Sequence, residues 1–252
     1  MSQLRRFLCP RLPTDKSPIE LDQDEAHHAL KVLRLGDGAT VYATDGLGQG
    51  VMSVLNIIRK GDSTRVYLRA DGKTDVEAPG AILPIRLEVS ILKGDAMDWV
   101  IEKAVELGVQ SLAPLHCDFT VVQIQKKGAD KFQERWQTIA DQSLKQCERL
   151  TRLKVLPPQP IREYFSKPVQ GTTFWLKERS PDAKPLEKLL QKTAAPTGLL
   201  VGPEGGFSPD EIAMLSRTPG VVAASLGPLV LRAETAAIAS TSVAASILRT
   251  DL

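Results

Sequence analysis

"LLVGPEGGFSPDEI", residues 199–212, is the stretch on which the fold turns. An apolar run stops at Gly202, and Gly202, Gly205 and Gly206 fall close together behind it. Ser208–Pro209–Asp210–Glu211 then spell a helix start: a hydroxyl N-cap, proline at the first helical position, an acid in the first turn and a glutamate that completes a capping box. Asp210 and Glu211 therefore have a structural explanation and take no catalytic role. A strand that runs through a glycine turn into a helix is a common cradle for phosphate. Glu204 sits inside this turn with no lysine beside it, and a carboxylate repels phosphate. A cationic ligand, or one offering N–H and O–H donors, is compatible with it. Locally, a ligand loop and a merely tight turn explain the stretch equally well.

Outward from this stretch, strand and helix alternate. Strands are expected at 85–92, 109–115, 153–156, 172–177, 197–201 and 221–226. Helices are expected over "DAMDWVIEKAVELG", capped by Asp95 and ended by Gly108, over 129–150, and from about Ala233 to Arg249. Met97, Ile101, Ala104 and Val105 make one apolar face, and Phe132, Trp136, Ile139, Ser143 and Cys147 recur at helical spacing. Such alternation predicts an α/β fold, a mostly parallel sheet with helices on both faces.

The first seventy-odd residues differ. Short strands are expected at 40–45, 50–58 and 64–70, punctuated by Gly46, Gly48, Gly61 and Asp62. One helix interrupts, with Asp22 as N-cap, Glu25 as its capping-box partner, and Ala26, Ala29, Leu30 and Leu33 on one face. A small β-barrel with one helix is the expected form. "DGKTDVEAPGAILP" (71–84) reads as a linker, which divides the chain into domains at 1–77 and 78–252.

Apolar residues make up 42% and charged residues 25% of the 252 residues, which argues against disorder. Cys9, Cys117 and Cys147 are scattered and odd in number, as expected of reduced thiols in a cytoplasmic protein. No apolar stretch reaches spanning length, and "MSQLRRFLCP" lacks the apolar run of a secretory signal. A soluble protein without membrane association is expected. The net charge of +2 does not announce nucleic acid. Basic residues nevertheless cluster near the start (Arg5, Arg6, Arg11, Lys16) and between Lys126 and Lys154. Local patches of this kind can grip a phosphate backbone, and a solvated helix face explains them as well.

In a parallel sheet, ligands bind beyond the carboxyl ends of strands. Besides 199–206, two such ends stand out: "TTFWLKE" (172–178) and the stretch from Val221 into "GPLVLRAET". There Arg232 either pairs with Glu234 or faces a site. No phosphate-loop lysine motif, no Gly-x-Gly-x-x-Gly after the first strand, no Gly-x-Ser-x-Gly and no metal-ligand spacing occurs. Kinase, dehydrogenase, hydrolase and metalloenzyme readings weaken accordingly, and no metal is expected.

"KGDAMDWVIEKAVELGV" (93–109), "RWQTIADQSLKQCER" (135–149), "LLVGPEGGFSPDEI" (199–212) and "SLGPLVLRAETAA" (225–237), in this order, resemble the ribosomal RNA small subunit methyltransferase E family. These are SPOUT-class enzymes that methylate N3 of a uridine in 16S ribosomal RNA. "RRF" and "HHALKVLRLGDG" (27–38) resemble its N-terminal domain, so the likeness covers nearly the whole chain. The resemblance implies a trefoil-knotted catalytic domain, a PUA-like RNA-binding barrel, a homodimer, and S-adenosylmethionine as cofactor.

Residue by residue, it assigns cofactor binding to Leu176, to Val201, Gly202, Pro203, Glu204, Gly205 and Gly206, and to Leu226, Gly227, Leu231, Arg232, Glu234 and Thr235. Arg232 and Glu204 are the expected catalytic residues. Arg5, Arg6, Arg34, Lys126, Lys127 and Arg149 are expected at the RNA of the small ribosomal subunit. At 117–121 the chain departs from the family, with "CDFTV" where a Ser-Glu-Arg-Ser-like run is usual, so that Phe119 replaces a basic side chain. The rival expectations are a SPOUT enzyme acting on ribose 2′-OH or another base, a catalytically silent RNA-binding assembly factor, and an unrelated nucleotide-binding enzyme with affinity for ATP or NAD.

Overall fold

A computed structural model of the protein describes residues 4–61, 63–124, 128–178, 180, 183–193 and 196–249. The chain forms two compact units. One holds the residues up to Ala78 together with Leu144–Arg152, the other Pro79–Ser143 and the chain from Leu153 onward.

The first unit is a mixed five-stranded sheet of β1 (Arg6–Leu8), β2 (Ile19–Glu20), β3 (Thr40–Thr44), β4 (Gln49–Lys60) and β5 (Ser63–Val76), in the order β1-β3-β4-β5-β2. Val41, Ala43, Val51, Leu55, Val66 and Leu68 alternate into its core with Phe7 and Ala29. The order has two ends, so the pairing describes an open sheet where a barrel was expected. The two end strands are very short and do not pair with each other. Asp22 caps α1 (Gln23–His27) by accepting from the Glu25 N–H at 2.8 Å. The helix does not continue as α to Gly36, because His28–Val32 forms a π-helix and Arg34 follows with φ of 54°.

The expected linker begins too early. Residues up to Val76 belong to β5, where the main chain pairs with Gln49–Val51 and Tyr42 donates to Asp75 at 2.8 Å. Glu77 then anchors the returning segment, its carboxylate accepting from the N–H groups of Leu150 and Thr151 at 2.8 and 2.6 Å.

The second unit is built on β6 (Leu83–Ser90), β7 (Val109–His116), β8 (Lys154–Val155), β9 (Gln159–Pro160), β10 (Thr172–Leu176), β11 (Lys184–Pro185), β12 (Thr197–Val201) and β13 (Val221–Ser225). The order is β11-β13-β10-β12-β6-β7-β8, with β9 also on β7, and every described pairing is parallel. The helices are α2 (Asp95–Glu106), α3 (Ala129–Cys147), α4 (Ile161–Tyr164), α5 (Leu186–Leu190), α6 (Pro209–Arg217) and α7 (Ala233–Arg249). α7 packs on β6 and β12 and touches α2 and α5. α4 and α6 contribute Ile161 and Leu215 to a core with Trp175 and Leu200.

The small residues of α7 allow this close approach: Ala237, Ser240, Thr241, Ala244 and Ala245 are all buried. α2 buries Met97, Ile101, Ala104 and Val105 as its spacing predicts, but Asp95 is its first helical residue and Gly94 holds the N-cap position without a side-chain cap. Inside the sheet, Glu88 is 1% exposed. Its Oε1 is met by Arg86 at 3.3 Å, Tyr164 at 2.9 Å and Thr173 at 3.2 Å. Its Oε2 is buried without a hydrogen-bond partner among the described residues, and burial raises the pKa of the group.

Candidate active site

The strand order decides where a ligand can sit. β10 lies between β12 and β13, with Trp175 level with Leu200 and Ala223. Three adjacent parallel strands therefore release their loops at one edge of the sheet. These loops enclose a cavity of about 730 Å³, which falls within the usual range for a small-molecule site.

Its wall combines the ends of β10, the turn after β12 and the loop from β13 into α7. Leu176, Val201, Gly202, Pro203, Glu204, Gly206, Leu226, Gly227, Leu231, Arg232 and Glu234 all line it. Gly205 and Thr235 are not part of the lining. The turn's geometry requires glycine in two ways. A Cβ on Gly202 would lie 2.7 Å from the Phe207 ring, and Gly206 has φ of +74°. Ser208 then caps α6 in a full capping box with Glu211, which is 0% exposed.

Glu204 is exposed, and its Oε1 accepts from the Lys93 N–H at 3.2 Å, tying the turn to the loop after β6. Arg232 is exposed where α7 begins, and its side chain makes no hydrogen bond or ion pair with a described residue. The alternative pairing with Glu234 is therefore absent among the described residues, and the guanidinium lines the cavity.

The cavity also has lining that sequence reasoning missed. Trp175 and Phe207 meet edge to face, with centroids 5.9 Å apart, and the Lys177 ammonium lies 5.1 Å from the Trp175 ring centre. Glu178 and Ala96 are part of the wall. The only available signal was the position of these aromatics, one near the end of a strand and one directly after a glycine pair. Around the cavity, the Asp118 carboxylate accepts from the Ser208 hydroxyl and from Arg162, and its N–H donates to Glu211 at 2.8 Å. The Ser208 hydrogen bond, and then Arg162, hold Asp118 below the usual carboxylate range. Burial pushes the Cys117 thiol up to about 12, so it is no thiolate nucleophile at neutral pH.

The basic residues expected at RNA divide. Arg5 and Arg34 are exposed. Arg6 is engaged inside its unit, 3.0 Å from Glu148 and with its guanidinium 4.4 Å from the Tyr42 ring centre. Arg149 is 6% exposed, with its Nε donating to the Thr151 carbonyl and burial lowering its pKa to about 10. Sequence shows the charge of Arg6 and Arg149 but not that the fold uses it internally. Lys126 and Lys127 lie outside the described residues. Among the described residues no cluster of side chains could hold a metal ion, and no helix is long and apolar enough to cross a membrane.

Comparison with known proteins agrees with this geometry. A family model described as an RNA methyltransferase domain matches residues 80–245. Ribosomal RNA small subunit methyltransferase E of Bacillus subtilis is 26% identical over 241 residues, covering 90% of this chain and 91% of that protein. A methyltransferase of Legionella pneumophila, solved with the bound cofactor SAM, superposes with a TM-score of 0.84 at 27% identity over 97% of this chain and 98% of that one. The ribosomal RNA small subunit methyltransferase E of Neisseria gonorrhoeae, solved bound to S-adenosyl methionine, gives 0.82 at 28% identity over the same shares. The chain belongs to the RNA methyltransferase family, and the resemblance to ribosomal RNA small subunit methyltransferase E read from its sequence holds along nearly its whole length.

Proposed function

We propose that the protein uses S-adenosylmethionine to methylate N3 of a uridine in the 16S RNA of the small ribosomal subunit. The observation that carries this reading is the convergence of three strand-end loops on one cavity with an unpartnered Arg232 in its wall. The cavity fits that cofactor. Glu178, Glu204 and Glu234 face Lys177 and Arg232 in the lining, an excess of carboxylate that suits a sulfonium and an amino group and disfavours phosphate. Phe207, backed by the buried Trp175, supplies apolar surface for a nucleoside, and the glycine turn brings main chain close to it.

When bound, S-adenosylmethionine supplies a sulfonium methyl: the bond to the acceptor nitrogen forms as the carbon–sulfur bond breaks, leaving a thioether. The chain's own task is orientation, since attacking nitrogen, methyl and sulfur must lie in line. Uracil N3 attacks only after its proton has passed to water, which leaves negative charge on the flanking carbonyl oxygens. Arg232 is placed to meet that charge, and Glu204 forms the polar wall beside the methyl donor.

The reading extends to the rest of the chain. The first unit is a PUA-like RNA-binding domain whose Arg5 and Arg34 meet phosphates, and the catalytic domain spans 78–252 with a trefoil knot at the cofactor loops. Gly205 and Thr235 support those loops. Exposed Leu229 and Val230 in the third loop suit cover by a second copy of the chain in a homodimer. The cytoplasm, where ribosomes assemble, is its place of work.

The test is methyl transfer from labelled S-adenosylmethionine to small subunits that lack the modification, beside free RNA. Label in 16S RNA supports the reading. Absence of both transfer and cofactor binding favours a silent assembly factor.

A further inference from the structure

Phe119 is 49% exposed, a large apolar ring left in water beside the candidate cofactor loop. It lies on the Gly205 side of the turn: a Cβ on Gly205 would come within 3.2 Å of the Phe119 Cβ. The loop that carries it is firmly pinned. The Cys117 N–H donates to the Thr120 hydroxyl at 2.9 Å, and that hydroxyl is 3.0 Å from the Ser90 hydroxyl. On the other side, Asp118 is bonded through its N–H to Glu211 and through its carboxylate to Ser208 and Arg162. Both neighbours of the ring are thus fixed to the sheet and to the start of α6, and the ring itself stays out.

We propose that Phe119 is a stacking platform for an unpaired base of the RNA substrate, next to the nucleotide that enters the cavity. The inference rests on the RNA methyltransferase reading given above. Sites for single-stranded RNA combine an aromatic face with cations that follow the backbone, and both are present. Arg162 is tied to Asp118, one residue from the ring. Three residues beyond it, Val122 lines a second cavity of about 670 Å³ with exposed Lys131 in its wall, beside Arg135, which is paired with Asp98. A base on Phe119 would therefore have exposed Lys131, and half-exposed Arg162 once it exchanges Asp118 for phosphate, to meet its backbone, while the same turn separates it from the cofactor cavity. Gly205 allows the ring to lie against the turn, so a strand stacked there is bound beside the cofactor loop.

Steady-state methyl transfer to unmodified small subunits tests this with the wild type, Phe119→Ala and Phe119→Tyr. Loss of one stacked base should raise the KM for the subunit about tenfold in Phe119→Ala. Its kcat and its affinity for S-adenosylmethionine should stay within about twofold, since a platform acts on substrate binding. Phe119→Tyr should restore KM. The dependence of KM on salt should be the same in wild type and Phe119→Ala, because stacking releases no counterions.

The proposal is overturned by an unchanged KM in Phe119→Ala, or by a Tyr variant as impaired as the Ala variant. It is also overturned by a matching loss of cofactor affinity, which would make Phe119 a mere prop for Gly205. A wild type that transfers no methyl to small subunits would remove the underlying reading and this inference together. With an active wild type, the failing results count against Phe119 alone.

Discussion

The main-chain N–H of Lys93 donates to the carboxylate of Glu204 at 3.2 Å, joining the loop after β6 to the turn after β12. The carboxylate is thus both a brace and a charge at the cavity wall, and two substitutions separate these roles. Glu204→Gln keeps an oxygen for Lys93 and removes the charge, so S-adenosylmethionine affinity should fall about three- to tenfold. Glu204→Ala removes both and should fall further. Calorimetric titration of the two variants gives the comparison.

Arg232 lines the cavity and makes no hydrogen bond or ion pair with a described residue. A guanidinium that stabilises charge only as the base reacts should matter for kcat and little for the resting complex. Arg232→Ala should lose methyl transfer on the order of 10²-fold or more, with cofactor affinity within about threefold. Rapid-mixing single-turnover assays at saturating cofactor read the chemical step directly.

Gly202 has no room for a side chain, since a Cβ there would meet the Phe207 ring at 2.7 Å. Gly202→Ala must displace a ring that also packs edge to face on Trp175. Overpacking of this kind costs about 1–3 kcal/mol, so thermal unfolding should begin a few degrees lower. Cofactor binding should weaken more than stability does, because the displaced ring is part of the cavity wall.

Asp118 is held below the usual carboxylate range by the Ser208 hydroxyl and then by Arg162. A carboxylate with a depressed folded-state pKa adds stability above its unfolded value, and that stability is lost as pH falls through the lowered value. The attachment of the 117–121 loop to α6 should accordingly hold at neutral pH and release in acid. Asp118→Asn should flatten this acid limb, as followed by hydrogen exchange of the loop amides.

The alternation of strand and helix was legible from periodicity because each element is long enough to show its repeat. β12, β13 and α7 lie almost where the sequence placed them. Very short elements such as β9 and β11 carry no period of their own and take their form from the neighbouring strand. The polar run to Val76 looked like a linker because it buries nothing, yet its main chain is a strand edge held by Gln49–Val51, and the Asp75 carboxylate accepts from the Tyr42 hydroxyl.

Within the candidate site, the residues alone left Gly202 and Glu204 between a ligand loop and a tight turn, and Arg232 between a pair with Glu234 and a site; only the family resemblance put them together, and all three line one cavity. Trp175 and Phe207 were not legible, because an aromatic near a strand end reads as core until the parallel register shows which loop faces it. Arg6 and Arg149 show the opposite limit: their charge is visible in the sequence, while Glu148, Tyr42 and the Thr151 carbonyl that engage it lie elsewhere in the chain.

The most direct measurement of the central claim is the identity of the product nucleoside. Small subunits lacking the modification are incubated with S-adenosylmethionine and the protein, and their 16S RNA is digested and resolved by mass spectrometry. The expected product is one N3-methyluridine per subunit, formed on the order of 10²-fold more slowly when Arg232→Ala replaces the wild type. A methyl on ribose 2′-OH, a methyl on another base, or no new methyl at all would contradict it.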